Sequence, residues 1–589
     1  MANDNLTISN DSSDALLPLA FDVSSPTAGA SEYLHDPFIR RLADFFQSKG
    51  LEALQREDRQ EVWYQDWIDY QAEHGIYAGL LSPQRYSSRG HRFDLWRLPR
   101  FLEVFAYHSP AHAYSLHVSF LGLFPILMSS NEALKKEAVA KLEGGGLFAL
   151  AVSEKEHGSD LLANEFMVKP AGPGGLLAEG TKYYIGNTNA ACIISVLARQ
   201  DDVESGRANK RLPFVLFALR PGEAPAFGNV RKIRTLGVRA AFVGQFDVQG
   251  HPFTAADVIS RGREAWDAVF GTVDFGKFFL GFGSVGICEH AFVEAAAYLR
   301  CRVLYGKPVA EMPHIRATTA IAFARLAAMK LYAYRALDYL HAASKDDRRY
   351  LLFNSVQKAK VSTEGVKVMG LLAECMGARG VEAETYFESA LRDAQLIPGL
   401  EGSTHINFAL TARFIDAYFA RAGNEAGPGP VDAHRAGAGE NAYWMRSGDR
   451  NPKTVRFAHD LRAYQRLRSL PNVTLFVEQV EAFRSFVADG VSASPLAADG
   501  ELTIEMGKCF SIMVYAQLVA ENCQSAAVAP ALVSVIFHAL IEDLGAQSLK
   551  LSAMFPPGSS QRASLQGAVR VPETSPADWQ FVSDLIAAR

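Results

Sequence analysis

The feature that most constrains this chain is a double change in the spacing of its apolar residues. Up to Gly144-Gly145-Gly146 they recur at helical spacing. From there to about residue 257 they fall in short runs rich in Val, Ile, Phe and Tyr, and from about residue 262 the helical spacing returns. Side chains repeat every 3.6 residues on one face of a helix and every second residue on a strand, so the two patterns demand different elements. The runs Leu147 to Val152, Lys182 to Ile185, Ile193 to Leu197, Phe214 to Leu219 and Phe242 to Val248 are separated by Gly, Pro, Asn and Asp turns, with no helix of crossover length between them. Parallel strands need such crossovers, so an antiparallel, barrel-like sheet is expected. The expected fold is mainly α with a central antiparallel β domain.

The flanking helical stretches divide further. Residues 1–30 are polar and aperiodic, and read as a disordered leader. An N-terminal helical domain is expected over 31–143. It starts at Asp36-Pro37, carries Phe38, Leu42, Phe45 and Phe46 on one face, and continues in patterns over about 52–79, 95–108 and 131–142. The β domain takes 144–260. Long patterns at 265–304, 313–343 and 347–376, with a fourth helix after Ser403, predict a four-helix bundle over 261–422. The first of them contains Gly271, Gly276, Gly281, Gly283 and Gly286. Glycine is costly inside a helix, so the pattern means either close approach by another element or a broken helix. A Gly/Pro/Ala-rich linker is expected at 423–440 and a helical extension at 441–589, with patterns at 454–468, 471–488, 499–523 and 525–543.

Composition narrows the function classes. A net charge of -5 gives no broad basic field, so nucleic acid is not an expected partner. The six cysteines form no CxxC pair or zinc-like cluster and read as free thiols of a reducing compartment. The N-terminus has neither the basic start nor the apolar core of a signal peptide, and the longest apolar run, Phe278 to Cys288, is too short to span a bilayer. A cytoplasmic protein without a membrane span is expected. No Walker loop occurs. His108 and His112 are four apart, but Pro110 lies between them, and His117 is off that face; all three take structural or capping roles and no metal site is expected.

The stretch Ile397-Pro398-Gly399-Leu400-Glu401-Gly402-Ser403-Thr404-His405 sets one acid between two glycines at the mouth of a helix. By itself it is either a loop acid ahead of an N-cap at Ser403 or Thr404, or a reactive carboxylate beside a flat ligand.

Five blocks then share a likeness. Ala149-Leu150-Ala151-Val152-Ser153-Glu154, running on to Gly158-Ser159-Asp160, is the first. Gly180-Thr181-Lys182-Tyr183-Tyr184-Ile185-Gly186-Asn187 is the second, and Arg302-Val303-Leu304-Tyr305-Gly306-Lys307-Pro308 the third. Glu374-Cys375-Met376-Gly377-Ala378-Arg379-Gly380 is the fourth, and Glu401-Gly402-Ser403 after Arg392-Asp393-Ala394 the fifth. Together, and in that domain order, they resemble the acyl-CoA dehydrogenase family over about residues 40–420, in the form of a large bacterial member with an added C-terminal helical domain.

The resemblance implies FAD as cofactor. It places Val152, Ser153, Ser159, Tyr184, Ile185, Gly186, Arg302, Glu374, Gly377, Ser403 and His405 on the flavin side, with Arg302 reaching the diphosphate held by a neighbouring subunit. In the family pattern a tryptophan stands where Tyr184 is and a threonine where Gly186 is, so an aromatic face remains here and a hydroxyl is lost. Ser159, Asp274 and Lys277 are implied as substrate contacts; from the residues alone, Ser159 also fits a plain turn, and Asp274 with Lys277 an ion pair or exposed side chains.

Glu401 is implied as the catalytic base of an α,β-dehydrogenation of an acyl-CoA or acyl-carrier-protein thioester. An electron-transferring flavoprotein is the implied acceptor, and a homodimer or homotetramer the implied assembly. Two rival readings keep the fold: a desaturase or oxidase acting on a carrier-protein-bound acyl group, and a flavin-binding non-dehydrogenase of the alkylation-response type.

Overall fold

The computed structural model describes residues 36–200, 213–420, 422–423, 427–429, 440, 451–458, 461–491, 499–525 and 528–587. The expected leader, most of the expected linker and the start of the extension lie outside the described residues.

Asp36 caps the first helix by accepting from the Phe38 N–H at 2.8 Å, with Pro37 in the first turn. The N-terminal helices are α1 (Pro37–Gln60, kinked at Gly50), α2 (Gln65–Glu73), α3 (Ile76–Leu81), α4 (Arg97–His108), α5 (Pro110–Met128) and α6 (Glu132–Glu143). Helix α5 was not expected from the sequence. It is buried on nearly every side, so it lacks the polar face that gives a helix its sequence periodicity. Pro110 does separate His108 from His112, which sit on α4 and α5.

Eight strands follow: β1 (Leu147–Ala151), β2 (Met167–Pro170), β3 (Gly175–Gly186), β4 (Ala191–Gln200), β5 (Phe214–Leu219), β6 (Phe227–Lys232), β7 (Val243–Thr254) and β8 (Val258–Arg261). They form one sheet in the order β6-β7-β3-β2-β4-β5-β8, with β1 alongside β4. Five pairings are antiparallel as expected, but β1 with β4 and β2 with β4 run parallel, so the sheet is mixed. The β2–β3 hairpin supplies the crossover from β1 to β4, a role that a helix usually fills.

The bundle begins with α7 (Gly262–Cys301), a continuous 40-residue helix. The hairpin β9 (Val303–Leu304) and β10 (Lys307–Pro308) follows it, then α8 (Pro313–His341), α9 (Tyr350–Val356), a π-helical turn over Gln357–Val361, α10 (Ser362–Met376), α11 (Tyr386–Leu396), α12 (Thr404–Ala412) and α13 (Ile415–Ala420). The glycines of α7 serve close approach. A Cβ on Gly286 would lie 2.0 Å from the Glu103 carbonyl oxygen on α4, and one on Gly281 would lie 2.3 Å from Gln357 Nε2. Lys330 of α8 is buried between Glu103 and Glu289, 2.8 and 2.7 Å away, and so ties α4, α7 and α8 together.

Beyond the bundle, β11 (Ala422–Gly423) pairs in parallel with β12 (Phe457–Ala458). The helix expected over 454–468 is absent there; Pro452–Thr454 and Arg462–Leu467 form short 3₁₀ turns around that pairing. Helices α14 (Pro471–Ala488), α15 (Gly500–Ser525), α16 (Pro530–Ser552), α17 (Ser560–Gln566) and α18 (Pro576–Ala587) complete the extension. Among the described residues, α5, α7, α15 and α16 are long and apolar enough to cross a membrane by composition, in contrast to the expectation from unbroken apolar runs. Between 67% and 89% of their apolar windows is buried inside the fold.

Candidate active site

The loop between α11 and α12 holds Glu401 at φ 51°, a left-handed conformation that side chains other than glycine rarely adopt. Ser403 caps α12 by accepting from the Ile406 N–H, so the expected N-cap and the isolated acid share one loop. The loop is tied at both ends. The Pro398 carbonyl accepts from Thr404 Oγ1 at 3.0 Å and from Lys358 Nζ at 2.5 Å. The Gly402 carbonyl accepts from Asn407 Nδ2 at 3.0 Å and from Lys358 Nζ at 2.9 Å.

The Glu401 carboxylate meets two helices. His117 Nε2 of α5 lies 3.4 Å from its Oε1. Gly276 of α7 leaves it room: a Cβ there would lie 3.3 Å from Glu401 Cδ and 2.8 Å from Leu121 Cδ2. Lys277, next in the chain, is only 4% exposed; its Nζ lies 3.4 Å from Asp274 Oδ1, so it is paired inside the protein and is not an exposed side chain. Burial pushes the Lys277 ammonium down to about 8 against the pull of Glu401. Burial, helped by the charge of Lys277, pushes Lys358 down to about 7. The Tyr114 phenol is pushed up by burial and then by Glu401. Beside these groups a small cavity of about 50 Å³ is lined largely by apolar side chains, among them Leu102, Phe279, Leu280 and Leu400, with Tyr114, His117 and Asp393 as its polar members.

Asp393, of the Arg392-Asp393-Ala394 segment, is buried and accepts from the Val238 N–H at 2.6 Å. Val238 itself has φ 47°, a strained value for a β-branched residue. Burial pushes Asp393 up to about 7. Arg392 is held by Asp58 and Glu388, both at 2.6 Å.

The expected flavin-side residues fall into three places. On the sheet, Ser153 Oγ donates to the Tyr183 carbonyl at 2.7 Å, the Val152 carbonyl accepts from Lys182 Nζ at 2.9 Å, and Ile185 is buried. Tyr184 has φ 63° and is 57% exposed, so its ring is free to take a flat partner. Gly186 is crowded: a Cβ there would lie 2.7 Å from Val118 Cγ2 and 2.9 Å from Tyr114 Oη. Tyr114 therefore fills the space that a threonine would need, which explains the glycine in steric terms. Ser159 is exposed in the following loop.

The second place is the end of α10, where Glu374 and Gly377 are exposed. The third is the β9–β10 hairpin, where Arg302 is exposed beside Val303, Leu304 and Tyr305, the last 96% exposed. Ser403 and His405 are exposed at the start of α12. An open aromatic face, strained strand backbone and a surface arginine with no ion pair among the described residues fit a flat ring with a diphosphate tail. Within the one chain, the structure gathers Glu401, Lys277 and Asp274, and leaves Arg302 and Glu374 on surfaces away from that cluster.

Sequence reasoning gave no site role to four groups here: His117, read as structural or capping; Tyr114; Lys358; and Asp393, named only within a block. The first two lie on the unexpected α5. Lys358 lies in the π-turn, where its spacing from the surrounding helical residues carries no periodic signal.

A family profile described as "Acyl-CoA dehydrogenase, C-terminal domain" matches residues 265–415, which hold α7 to α12 and Glu401. The short-chain-specific acyl-CoA dehydrogenase of Megasphaera elsdenii is 23% identical over 384 residues, covering 64% of this chain and 97% of that protein. The chain is thus similar to acyl-CoA dehydrogenases, and its residues 265–415 match the C-terminal domain of that family. Cyclohex-1-ene-1-carbonyl-CoA dehydrogenase of Geobacter metallireducens is a further relative, 24% identical over 50% of this chain and 75% of its own. Among solved structures, an acyl-CoA dehydrogenase of Bacillus anthracis complexed with FAD superposes with a TM-score of 0.75 at 16% identity, covering 98% of both chains. The acyl-CoA dehydrogenase fold seen here therefore has a counterpart that includes the C-terminal helices.

Proposed function

We propose that this protein removes hydrogen across the α,β bond of an acyl thioester, with FAD as cofactor and Glu401 as base. The observation that carries the reading is the setting of Glu401: a carboxylate on left-handed backbone, inside the fold, 3.4 Å from His117, whose side chain lines a mostly apolar cavity. A thioester α-proton is only weakly acidic, so its removal needs a base held in position and a site from which water is excluded. The loop ties and the bare Gly276 position the carboxylate. His117 Nε2, 3.4 Å from Oε1, orients one of its oxygens. The apolar side chains beside His117 and Leu400 limit the entry of water there. Lys277 offers buried positive charge where negative charge grows on the substrate as the proton leaves.

The chemistry FAD supplies there is acceptance of the β-hydrogen with its electron pair. Tyr184 offers it an aromatic face and the neighbouring strand backbone its polar edges. Arg302 stands on an exposed apolar hairpin, which suits contact with a second copy of the chain; a permanently charged, planar fork matches a diphosphate held there. The site is then complete only in an oligomer. An electron-transferring flavoprotein is the acceptor that the family likeness favours.

The test is an anaerobic spectral titration of FAD-loaded protein with a panel of acyl-CoA thioesters, each repeated on a carrier protein. Wild type loses its visible flavin absorbance with at least one of them. Glu401→Gln keeps its FAD and stays yellow with that same thioester. Bleaching by Glu401→Gln at the wild-type rate would refute the base.

A further inference from the structure

We propose that Lys358 is a positioning residue of the reaction, the clamp that fixes the backbone on both sides of Glu401. The inference rests on Glu401 being the base. Lys358 Nζ donates to the carbonyls of Pro398 and Gly402, three residues before Glu401 and one after it, at 2.5 and 2.9 Å. The other donors to those carbonyls, Thr404 and Asn407, belong to the helix that the loop itself starts. Lys358 is the donor that comes from another element, so it transmits the rigidity of the bundle to the loop.

Its own placement is unusual. It sits in the π-helical turn Gln357–Val361, between α9 and α10. Such turns add a residue to the helical circuit and re-aim the side chains around it, and they recur at functional sites. The same turn sends Gln357 against Gly281 of α7, with its Nε2 3.4 Å from the Phe278 carbonyl. The turn is thus braced against the helix that carries Gly276 and Lys277.

The clamp has a reason to exist. Glu401 holds a left-handed φ that an untied loop would relax. Two neutral carbonyls facing one ammonium give strong, directional hydrogen bonds without a carboxylate partner that would compete with Glu401. The charged groups facing Lys358 are Lys277 and Glu401.

The experiment uses FAD-loaded Lys358→Met and Lys358→Arg beside wild type and Glu401→Gln, with the acyl-CoA that bleaches wild type. Loss of the clamp lets the carboxylate drift by an ångström or so, and Lys358→Met is expected to lower kcat about 10- to 100-fold, with KM and the flavin spectrum little changed. Lys358→Arg, still a cation with several donors, recovers most of that loss. A structural role alone would not split kcat from KM or be rescued in this way. A Lys358→Met kcat within about twofold of wild type, or equal losses in the Met and Arg variants, overturns the proposal. Should Lys358→Met not retain FAD, Lys358→Gln, which keeps an amide donor, is read by the same criteria. If Glu401→Gln also bleaches, the base assignment has failed; if only the Lys358 variants behave as wild type, the clamp alone has failed.

Discussion

At the seam between the bundle and the C-terminal helices, Asp543 of α16 meets Arg325, Lys360 and Lys367 at 2.9 to 3.1 Å, and Glu364 pairs with Arg325 and Lys360 beside it. Around Glu401, by contrast, Lys277 has one long contact to Asp274 and Lys358 donates its hydrogen bonds to two carbonyls. Both regions bury charge. At the seam opposite charges hold the carboxyls of Asp543 and Glu364 well below the usual range, while beside Glu401 the two ammonium groups are pushed down by burial. Fully paired buried charge docks one part of a protein on another, whereas thinly paired buried charge is left available for what enters the site.

The largest expected effect lies at the seam. Asp543→Ala removes one of the two carboxylates that Arg325, Lys360 and Lys367 share, leaving Glu364 alone to face them, and removal of one member of a buried pair costs about 3 kcal/mol or more. We expect earlier unfolding of α14 to α18 and faster proteolytic release of that segment, read by limited proteolysis and thermal melts. The sign with pH follows from the depressed carboxyls: their stabilisation is fully present above the unfolded carboxylate range and is lost progressively as pH falls from that range through the depressed folded values. Acid therefore loosens the seam in wild type and changes Asp543→Ala less. A variant as stable as wild type would mean that the seam is held by apolar packing.

The same contrast explains what was legible in the sequence. The period switches at Gly144 and near residue 262 located the β domain and the long bundle helices, because each of those elements has two unlike faces. Glu401 stood out because glycines isolate it and because the blocks around it resemble a family. Helix α5 escaped because it is apolar on all sides, and His117 and Tyr114 escaped with it. The parallel pairing of β1 with β4 is a long-range choice that local spacing does not encode. Asp543 and Arg325 are 218 residues apart, so the seam has no local signature.

An intermediate effect tests the edge of the site. Burial raises Asp393 to about 7 from 3.8. Between those values the folded protein holds a proton that the unfolded chain has lost, so stability falls as pH rises across that window. The slope is at most about 1.4 kcal/mol per pH unit, and the whole effect about 2–3 kcal/mol once relaxation is allowed for. Asp393→Asn keeps an oxygen for the Val238 N–H and removes the titration. Chemical denaturation at about pH 4.5 and 7.5 should show a smaller drop in the variant than in wild type; equal drops would place the proton elsewhere.

The smallest effect has the opposite sign to that at the seam. Lys277→Met replaces an ammonium that burial disfavours with an apolar chain of similar length, and the folded state should gain about 1 kcal/mol at neutral pH. The lowered ammonium fixes the pH dependence: below about 8 both states are protonated and the wild type carries the full burial cost. Above it the folded lysine releases its proton while the unfolded one keeps it up to about 10.5, so wild-type stability climbs and the advantage of Lys277→Met shrinks. Activity should move the other way, with bleaching by the acyl thioester slowed at least about tenfold. Higher stability with lower activity in one variant would mark Lys277 as charge kept for the reaction. A variant less stable than wild type at every pH would mean instead that its pair with Asp274 is a structural bridge of the same kind as those at the seam.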